Sequence, residues 1–194
     1  MNIQVDGTGM QNKGAELMLY SILDEIEKRY PSSTVIYNTG AGNINEIDTC
    51  LDIKHRFFLK YGKYPSAILR RLNLNLSIFE SFYVDSNIDV VLDGSGFRWG
   101  DQWDYDDKYY KKLINYYKGL KKNGTKIILL PQAFGPFNTI NGGKIISILN
   151  NYVDFIIARE KISYNYLIEA GIENEKTFIC TDFSVTVKGE EILN

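Results

Sequence analysis

Glycines, amides and charged side chains are concentrated in several short segments of the sequence, and each segment follows a run of apolar residues. The segments are residues 7–14, 93–104, 131–136, 159–163 and 182–184. Glycines let a ligand come close to the backbone, while amides and guanidinium groups bind anionic or hydroxyl-rich molecules. The sequence therefore predicts a ligand-binding site assembled from several loops.

The first segment reads GTGMQNKG and precedes a helix-forming pattern, an arrangement that presents a helix N-terminus to a ligand. Asn12 stands where a dinucleotide-binding fingerprint has its third glycine, and Gly14 is followed by Ala15 where a phosphate-binding P-loop has lysine. We therefore expect neither NAD nor ATP here. Asn12, Gly14 and Glu16 are candidate binding residues, although Asn12 would also serve as a helix cap and Glu16 as a partner of the helix dipole.

The second segment, DGSGFRWGDQW, combines glycines with tryptophans. The faces of Trp99 and Trp103 would form an aromatic wall suited to a sugar ring, and Arg98 would hold a phosphate or a carboxylate through bidentate hydrogen bonds. Alternatively, the tryptophans belong to the core and the segment is a structural turn. The candidate binding residues here are Gly94, Ser95, Gly96, Arg98 and Asp101.

The remaining segments complete the set of candidate residues. Gln132 and Gly135 lie in a proline-flanked turn, where Gln132 would either meet the ligand or satisfy the loop backbone. Arg159 directly follows an apolar strand, and a cation at that place requires either a bound anion or a partner such as Glu160. Ser163 would lie near Arg159, in the first turn of the next helix.

The composition narrows the kinds of site that the chain can build. The chain has 194 residues, of which 44% are hydrophobic and 24% charged, and its net charge of −2 provides no basic field for nucleic acid. Its 2 cysteines and 1 histidine, His55, argue against a disulfide framework, a zinc ribbon or a two-histidine centre, so we expect no metal. We expect His55 at the surface. The absence of a signal peptide or a spanning run predicts a cytoplasmic protein and leaves peripheral membrane contact open.

Alternating strands and helices must position these segments. Apolar or β-branched runs predict strands at residues 3–5, 34–37, 88–92, 126–130, 155–158 and 177–180. Helical spacing predicts helices at residues 14–30, 68–83, 104–122, 145–152 and 160–170. This order is typical of an α/β protein with a Rossmann-like open parallel sheet of about six strands and helices on both faces. The candidate segments then follow the carboxyl ends of the strands, where such sheets bind ligands.

Four motifs occur in order, each beside a predicted strand: NKGAE from residue 12, DGSGF with GDQW from residue 93, LPQAFGP from residue 130 and AREKIS from residue 158. In these motifs the chain resembles the polysaccharide pyruvyl transferase family. The resemblance implies that residues 1–185 are the Rossmann-like N-terminal lobe of a two-lobed, glycosyltransferase-B-like protein, followed by a linker or tail at 186–194. Ala15 and Ser95 depart from the family pattern, which often has aspartate and glycine at these places.

The family implies transfer of a pyruvyl unit from phosphoenolpyruvate to a sugar of a surface polysaccharide (exopolysaccharide) or cell-wall precursor, the sugar being carried on a nucleotide or a lipid. Phosphoenolpyruvate is then the donor substrate, and no cofactor is expected. By position, Arg159 resembles the family arginine that faces the phosphate or carboxylate of the donor. Turnover would need a second lobe, either a C-terminal one or a second copy of the chain, so the resemblance leaves open whether this chain alone is an enzyme.

Two other functions fit the same residues. A non-catalytic sugar- or partner-binding module would use the same cleft without transferring a pyruvyl group, even when a second lobe is supplied. Half of a nucleotide-sugar glycosyltransferase would transfer a sugar without releasing phosphate from phosphoenolpyruvate.

Overall fold

The computed structural model describes residues 1–9, 12–37, 54–56, 82–83 and 88–183. The strands among them are β1 (Asn2–Asp6), β2 (Thr34–Tyr37), β3 (Lys54–Arg56), β4 (Phe82–Tyr83), β5 (Val90–Asp93), β6 (Lys126–Gln132), β7 (Phe155–Ala158) and β8 (Thr177–Ile179). The helices are α1 (Lys13–Arg29), α2 (Asp107–Lys122), α3 (Ile140–Tyr152) and α4 (Lys161–Glu169), with a 3₁₀ turn at Asn174–Lys176. None of these helices is long and apolar enough to span a bilayer.

The described strands form one sheet of 8 strands in the order β4-β3-β2-β1-β5-β6-β7-β8, and all neighbouring pairs are parallel. The chain moves outwards from β1 to β4, returns to the other side of β1 with β5, and moves outwards again to β8. β1 and β5 are therefore the neighbours at which the path reverses. In open parallel sheets such a switch point opens a crevice beyond the carboxyl ends of the two strands.

All of the predicted strands are present, which confirms the α/β, Rossmann-like fold. β3 and β4 are additional and come from residues 43–87, where the sequence pattern predicts no strand. Tyr83, which the sequence predicts to end a helix from residue 68, instead lies in β4 and pairs with Arg56 of β3. Residues 68–81 of that predicted helix lie outside the described residues. His55 lies in β3. The predicted boundary at residue 185 also falls outside the described residues.

Capping side chains decide where two of the helices begin. The Asp106 carboxylate accepts a hydrogen bond from the Tyr109 amide at 2.8 Å, so α2 begins at residue 107 rather than at the predicted 104. The Thr139 hydroxyl accepts from the Gly142 amide at 3.1 Å, so α3 begins at residue 140 rather than 145. Both caps stand outside the periodic apolar pattern, which is why periodicity placed these helix starts several residues away.

Apolar side chains of the helices pack against both faces of the sheet. On one face, Leu19, Ile22 and Ile26 of α1 pack against Ile3 and Val5 of β1. On the other face, α2, α3 and α4 cover the central strands in a larger cluster that includes Val91, Leu113, Tyr117, Ile127, Leu129, Ile148, Leu149, Ile156 and Leu167. Coverage of both faces is what makes these strands almost continuously apolar.

Replacement of Leu129 by alanine should destabilise the whole fold. Leu129 is fully buried in β6 at the centre of the larger cluster, so the substitution leaves a cavity and should lower the free energy of unfolding by about 2–5 kcal/mol. Urea unfolding followed by circular dichroism measures this change. Ile140→Ala, at an exposed position at the start of α3, is the control and should change stability by less than about 0.5 kcal/mol. Equal losses in the two variants would contradict this description of the core.

Candidate functional site

Two aspartates end the central strands at the switch point. Asp6 is the last residue of β1 and Asp93 the last of β5, and the two residues are register partners. Both side chains are buried in the interior. A buried carboxylate is costly unless it is hydrogen-bonded or paired, so the surrounding loops and helices must satisfy both groups.

Asp6 is held by two polar side chains beneath the crevice. Gln4 Nε2 donates to Asp6 Oδ1 at 2.7 Å, and the Tyr116 hydroxyl donates to Asp6 Oδ2 at 2.7 Å. Gln4 Nε2 also lies 2.6 Å from the Tyr116 hydroxyl oxygen, to which it donates. Because Tyr116 belongs to α2, this network joins the end of β1 to the helix on the other side of the switch point.

Asp93 organises the loop that follows it. The Ser95 amide donates to Asp93 Oδ1 at 2.9 Å, and the Ser95 hydroxyl donates to the same oxygen. Arg98 Nη1 lies 3.5 Å from Asp93 Oδ2, and the Tyr117 hydroxyl donates to that oxygen at 3.5 Å. Burial raises the pKa of Asp93, helped by the nearby charge of Asp6, and outweighs the opposite effects of Arg98 and Ser95. This carboxyl group therefore takes up a proton more readily than an exposed aspartate does.

Arg98 provides the positive charge of a cavity of about 290 Å³ beside these strand ends. Its Nε donates to the Tyr109 hydroxyl at 3.2 Å, and its guanidinium carbon lies 5.5 Å from the centre of the Trp99 ring. Burial lowers the pKa of Arg98, but Tyr117 and Asp93 raise it by more, so the side chain remains a cation. The cavity is also lined by Gly7 and Ser95 and by the rings of Phe97, Trp103, Tyr105 and Tyr109.

Trp99 does not belong to the cavity wall, which corrects the expectation that both tryptophans would form it. Its ring has an exposed fraction of 1% and packs in the core. Backbone hydrogen bonds of 2.8 Å, from Ala133 N to Gly96 O and from Gly135 N to Trp99 O, continue the pairing of β5 with β6 beyond the strand ends. This extra pairing anchors Trp99 over the core, and Trp103 is the tryptophan that lines the cavity.

Three of the predicted glycines have a structural reason to be glycine. A Cβ on Gly94 would lie only 2.8 Å from Thr8 Cγ2, so a side chain there would push apart the loops that follow β1 and β5. Gly96 and Gly135 both have a φ of +77°, which side chains other than glycine rarely adopt. Direct contact of these glycines with a ligand stays a prediction.

Gln132 connects the ends of β5, β6 and β7. Its Nε2 donates to the Asp93 carbonyl at 3.2 Å, and the Arg159 amide donates to the Gln132 carbonyl at 3.1 Å. The side chain is fully buried, and its Oε1 has no hydrogen-bond partner among the described residues. Gln132 lies within β6 rather than in the turn where the sequence pattern placed it.

Arg159 lies at the end of β7, and its side chain is 37% exposed. Its Nε donates to Glu160 Oε2 at 3.1 Å, and its Nη1 lies 3.8 Å from Asp182 Oδ2. Ser163 stands beside this pair: its hydroxyl donates to Glu160 and accepts from the Phe134 amide, the latter at 2.8 Å. The alternative of an Arg159–Glu160 pair is therefore realised in this structure, and the guanidinium stays accessible.

The predicted residues of the first segment lie at the start of α1. The Asn12 side chain accepts from the Ala15 amide at 2.8 Å and caps the helix. Glu16 pairs with Lys13 at 2.8 Å, and Gly14 lies between them in the first turn. None of these residues lines the cavity beside Arg98, so the structure does not bring them together with it, and their part in binding stays a prediction.

Asp101 faces the start of α3. Its carboxylate accepts hydrogen bonds from the Asn138 and Thr139 amides and from the Thr139 hydroxyl. These bonds fasten the loop after β5 to the loop that leads into α3. The carboxylate thus has partners within the fold, and its part in substrate binding also stays a prediction.

Sequence reasoning missed Gln4, Asp6 and Tyr116 as parts of the site. A signal existed for Asp6, because it ends an apolar strand, the same pattern that singled out Arg159. No local signal existed for Tyr116, because it lies 110 residues from Asp6 in the chain. Among the described residues, no group of His, Cys, Asp and Glu side chains is arranged to hold a metal ion.

Comparison with known proteins identifies a family and a fold. A sequence model described as "Polysaccharide pyruvyl transferase" matches residues 12–191. The crystal structure of Anabaena Alr3699/HepE in complex with UDP and glucose is 14% identical, with a TM-score of 0.53 over 93% of this chain and 44% of that chain. The complex of the same protein with UDP gives a TM-score of 0.50 at 14% identity, over 93% of this chain and 43% of that chain. No curated protein sequence matches this chain.

The likeness to HepE supports the α/β fold of this chain. This chain spans less than half the length of the HepE chains that it matches.

The raised pKa of Asp93 predicts a pH-dependent stability. The folded state binds more protons than the unfolded state at pH values between the ordinary aspartate pKa of 3.8 and the higher folded value. Asp93 therefore contributes a loss of stability as the pH rises through that interval. Relative to Asp93→Asn, the wild type should lose unfolding free energy as the pH rises from about 4 towards neutrality.

Urea unfolding of both proteins at a series of pH values measures this difference. Asp24→Asn, at an exposed position on α1, is the matched control and should follow the wild-type curve. Parallel curves for wild type and Asp93→Asn would contradict the assignment of a raised pKa to this group.

Proposed function

This chain belongs to the polysaccharide pyruvyl transferase family, and from that premise we propose that its crevice serves pyruvyl transfer from phosphoenolpyruvate to a sugar of a surface polysaccharide or cell-wall precursor. The observation that carries the proposal is the family match over residues 12–191, a span that contains the ends of β5, β6 and β7. The polar groups of these strand ends are linked to one another through Gln132.

The reaction defines what such a site must supply. A proton is added to the methylene carbon of phosphoenolpyruvate, and a sugar hydroxyl bonds to C2 and loses its own proton. A second hydroxyl then bonds to C2 while the bond from C2 to the phosphate oxygen breaks, and its proton goes to the departing phosphate. The products are a cyclic ketal and free hydrogen phosphate. Cationic groups must therefore hold the phosphate and the carboxylate, and a general acid must provide the first proton.

Two arginines meet the first requirement. Arg98 is fixed beside the cavity by Asp93 and Tyr109, and Arg159 lies accessible at the end of β7. The partners of Arg159 are exposed enough for water to weaken these ion pairs, so an anionic donor can replace Asp182 at little cost. The planar guanidinium group matches the geometry of phosphate and carboxylate. We assign donor binding to Arg159 on this ground.

The proton donor is not assigned to a described residue. Asp93 has a raised pKa, but it is buried beneath Ser95 and bonded to it, so its part is to position Arg98. We propose that a second lobe, or a second copy of the chain, supplies the general acid and closes over the crevice. We place the reaction in the cytoplasm, where phosphoenolpyruvate is produced.

Replacement of Arg159 by alanine should weaken the binding of phosphoenolpyruvate about tenfold or more, because a charge-assisted bidentate contact is lost. Isothermal titration calorimetry measures this affinity directly. Arg29→Ala removes an exposed arginine of α1 that pairs with Glu25, and it should leave the affinity unchanged. Unchanged affinity in Arg159→Ala, or an equal loss in Arg29→Ala, would remove Arg159 from the donor site.

Release of phosphate from phosphoenolpyruvate, measured together with the mass gain of the sugar, separates the proposed function from its alternatives. Pyruvyl transfer predicts both signals when the second lobe is present. Sugar transfer without phosphate release would instead show half of a nucleotide-sugar glycosyltransferase. Sugar binding with neither signal would show a non-catalytic module, and a failure to bind phosphoenolpyruvate would overturn the proposal.

A further inference from the structure

The exposed side of α2 carries a stripe of lysines. At 3.6 residues per turn these lysines fall on one side of the helix. This lysine stripe consists of Lys108, Lys111, Lys112, Lys118 and Lys122, all of which are exposed. Asn115 and Gly119 are the other exposed residues on that side, and both are uncharged. From its first to its last lysine the stripe is about 21 Å long, at 1.5 Å per residue.

The charge of the stripe is not neutralised by nearby carboxylates. None of its lysines forms an ion pair with an acidic side chain among the described residues. Lys121, the remaining lysine of α2, lies outside the stripe and pairs with Asp154 at 2.6 Å. Asp107 is the only acidic residue of α2, and it pairs with Lys144 of α3 at 2.6 Å. The exposed side of α2 is therefore strongly positive.

The neighbouring helix adds no negative charge to this surface. α3 has no acidic residue, contacts α2 and covers the same face of the sheet. Its first residue, Ile140, is 83% exposed. Ile140 lies near the start of α2, because Lys144 bonds to Asp107 and the Asn141 side chain donates to the Tyr105 carbonyl. The outer sides of α2 and α3 thus form a positive surface two helices wide, with an exposed apolar side chain at one end.

The helix on the other face of the sheet differs in this respect. The exposed cations of α1 are paired: Lys13 with Glu16 at 2.8 Å, and Lys28 and Arg29 with Glu25 at 3.4 and 2.6 Å. The net charge of −2 therefore conceals an uneven distribution of charge. Because salt screens charges that lie more than about 10 Å apart, a ligand that approaches α2 meets the lysines and not the net charge.

An anionic lipid surface fits this pattern. Clusters of about four to eight lysines or arginines on an amphipathic helix are typical of binding to anionic headgroups. An exposed isoleucine next to such a cluster suits the boundary between headgroups and acyl chains. Single-stranded nucleic acid fits less well, because the exposed side of α2 has no aromatic side chain on which a base could stack.

We propose that the lysine stripe docks this protein on the anionic lipid surface of a membrane, with the outer sides of α2 and α3 towards the headgroups. This docking does not depend on the reaction. Lys108 adjoins Tyr109, whose ring lines the cavity beside Arg98, so docking brings that cavity close to the bilayer. A sugar carried on a lipid would then reach the cavity without leaving the membrane, and this consequence alone rests on the proposed function.

Cosedimentation with lipid vesicles tests the docking without any substrate. The wild type should sediment with vesicles of phosphatidylcholine and phosphatidylglycerol, and not with vesicles of phosphatidylcholine alone. A rise in NaCl from about 0.1 M to about 1 M should release it, because the screening length falls from about 10 Å to about 3 Å. The absence of binding to the anionic vesicles at low salt, or equal binding to both kinds of vesicle, would overturn the proposal.

Substitutions in the stripe should change the partition onto anionic vesicles. Lys111→Gln/Lys118→Gln should lower it about twentyfold or more, since each lysine near an anionic surface contributes about fivefold. Glutamine keeps the helix propensity of lysine, so the variant should fold. Asn115→Lys adds a charge within the stripe and should raise the partition about fivefold. Unchanged partition in both variants would contradict the docking.

Lys28→Gln/Arg29→Gln is the matched control, because it removes the same amount of positive charge from exposed positions on α1, on the other face of the sheet. It should leave the partition unchanged, and a loss equal to that of Lys111→Gln/Lys118→Gln would overturn the proposal. Binding of a DNA duplex as tight as binding of the anionic vesicles, at the same salt, would assign the stripe to polyanions in general and would also overturn it.

The vesicle experiment and the titration with phosphoenolpyruvate fail independently. Vesicle binding as expected, with no binding of phosphoenolpyruvate, would retain the docking surface and overturn the pyruvyl transfer. Binding of phosphoenolpyruvate without binding of anionic vesicles would overturn the docking surface alone.

Discussion

The buried carboxylate of Asp93 sets the arrangement of the crevice. It lies in the interior at the end of a central strand, where a charge without partners would be strongly destabilising. The loop after β5 meets this demand by folding back, so that Ser95 bonds to the carboxylate twice and Arg98 stands 3.5 Å from it. The hydrogen bonds and the ion pair that stabilise the buried carboxylate therefore also hold a cation beside the cavity.

Arg98 also contacts one of the aromatic side chains that line the cavity. Its Nε donates to the Tyr109 hydroxyl at 3.2 Å, and this hydrogen bond fixes the guanidinium group relative to the Tyr109 ring. Arg159 differs, because its pairs with Glu160 and Asp182 are partly exposed and weak in water. The carboxyl ends of the strands thus carry two different cations. Arg98 is fixed next to aromatic side chains, whereas Arg159 can exchange its partners.

The strands and helices that the sequence predicts are those that local pattern determines. Apolar runs are enough to place the central strands, because continuous apolar runs of this length are typical of strands with helices packed on both faces. Long-range pairing is what local pattern cannot supply. Trp99 and Trp103 look equivalent in the sequence, yet the hydrogen bond from the Gly135 amide to the Trp99 carbonyl anchors one in the core and leaves the other at the cavity. The bond between Asp6 and Tyr116 likewise exists only once the sheet has formed.

The central proposal is that loops at the carboxyl ends of β5, β6 and β7 together bind the anionic donor. Mapping of backbone amide chemical shifts during titration with phosphoenolpyruvate tests it most directly. The claim predicts that the largest shifts fall at residues 94–98, 132–135 and 159–163, at the strand ends linked through Gln132. Largest shifts at the opposite edge, around Asn2, Lys126 and Phe155, would contradict it.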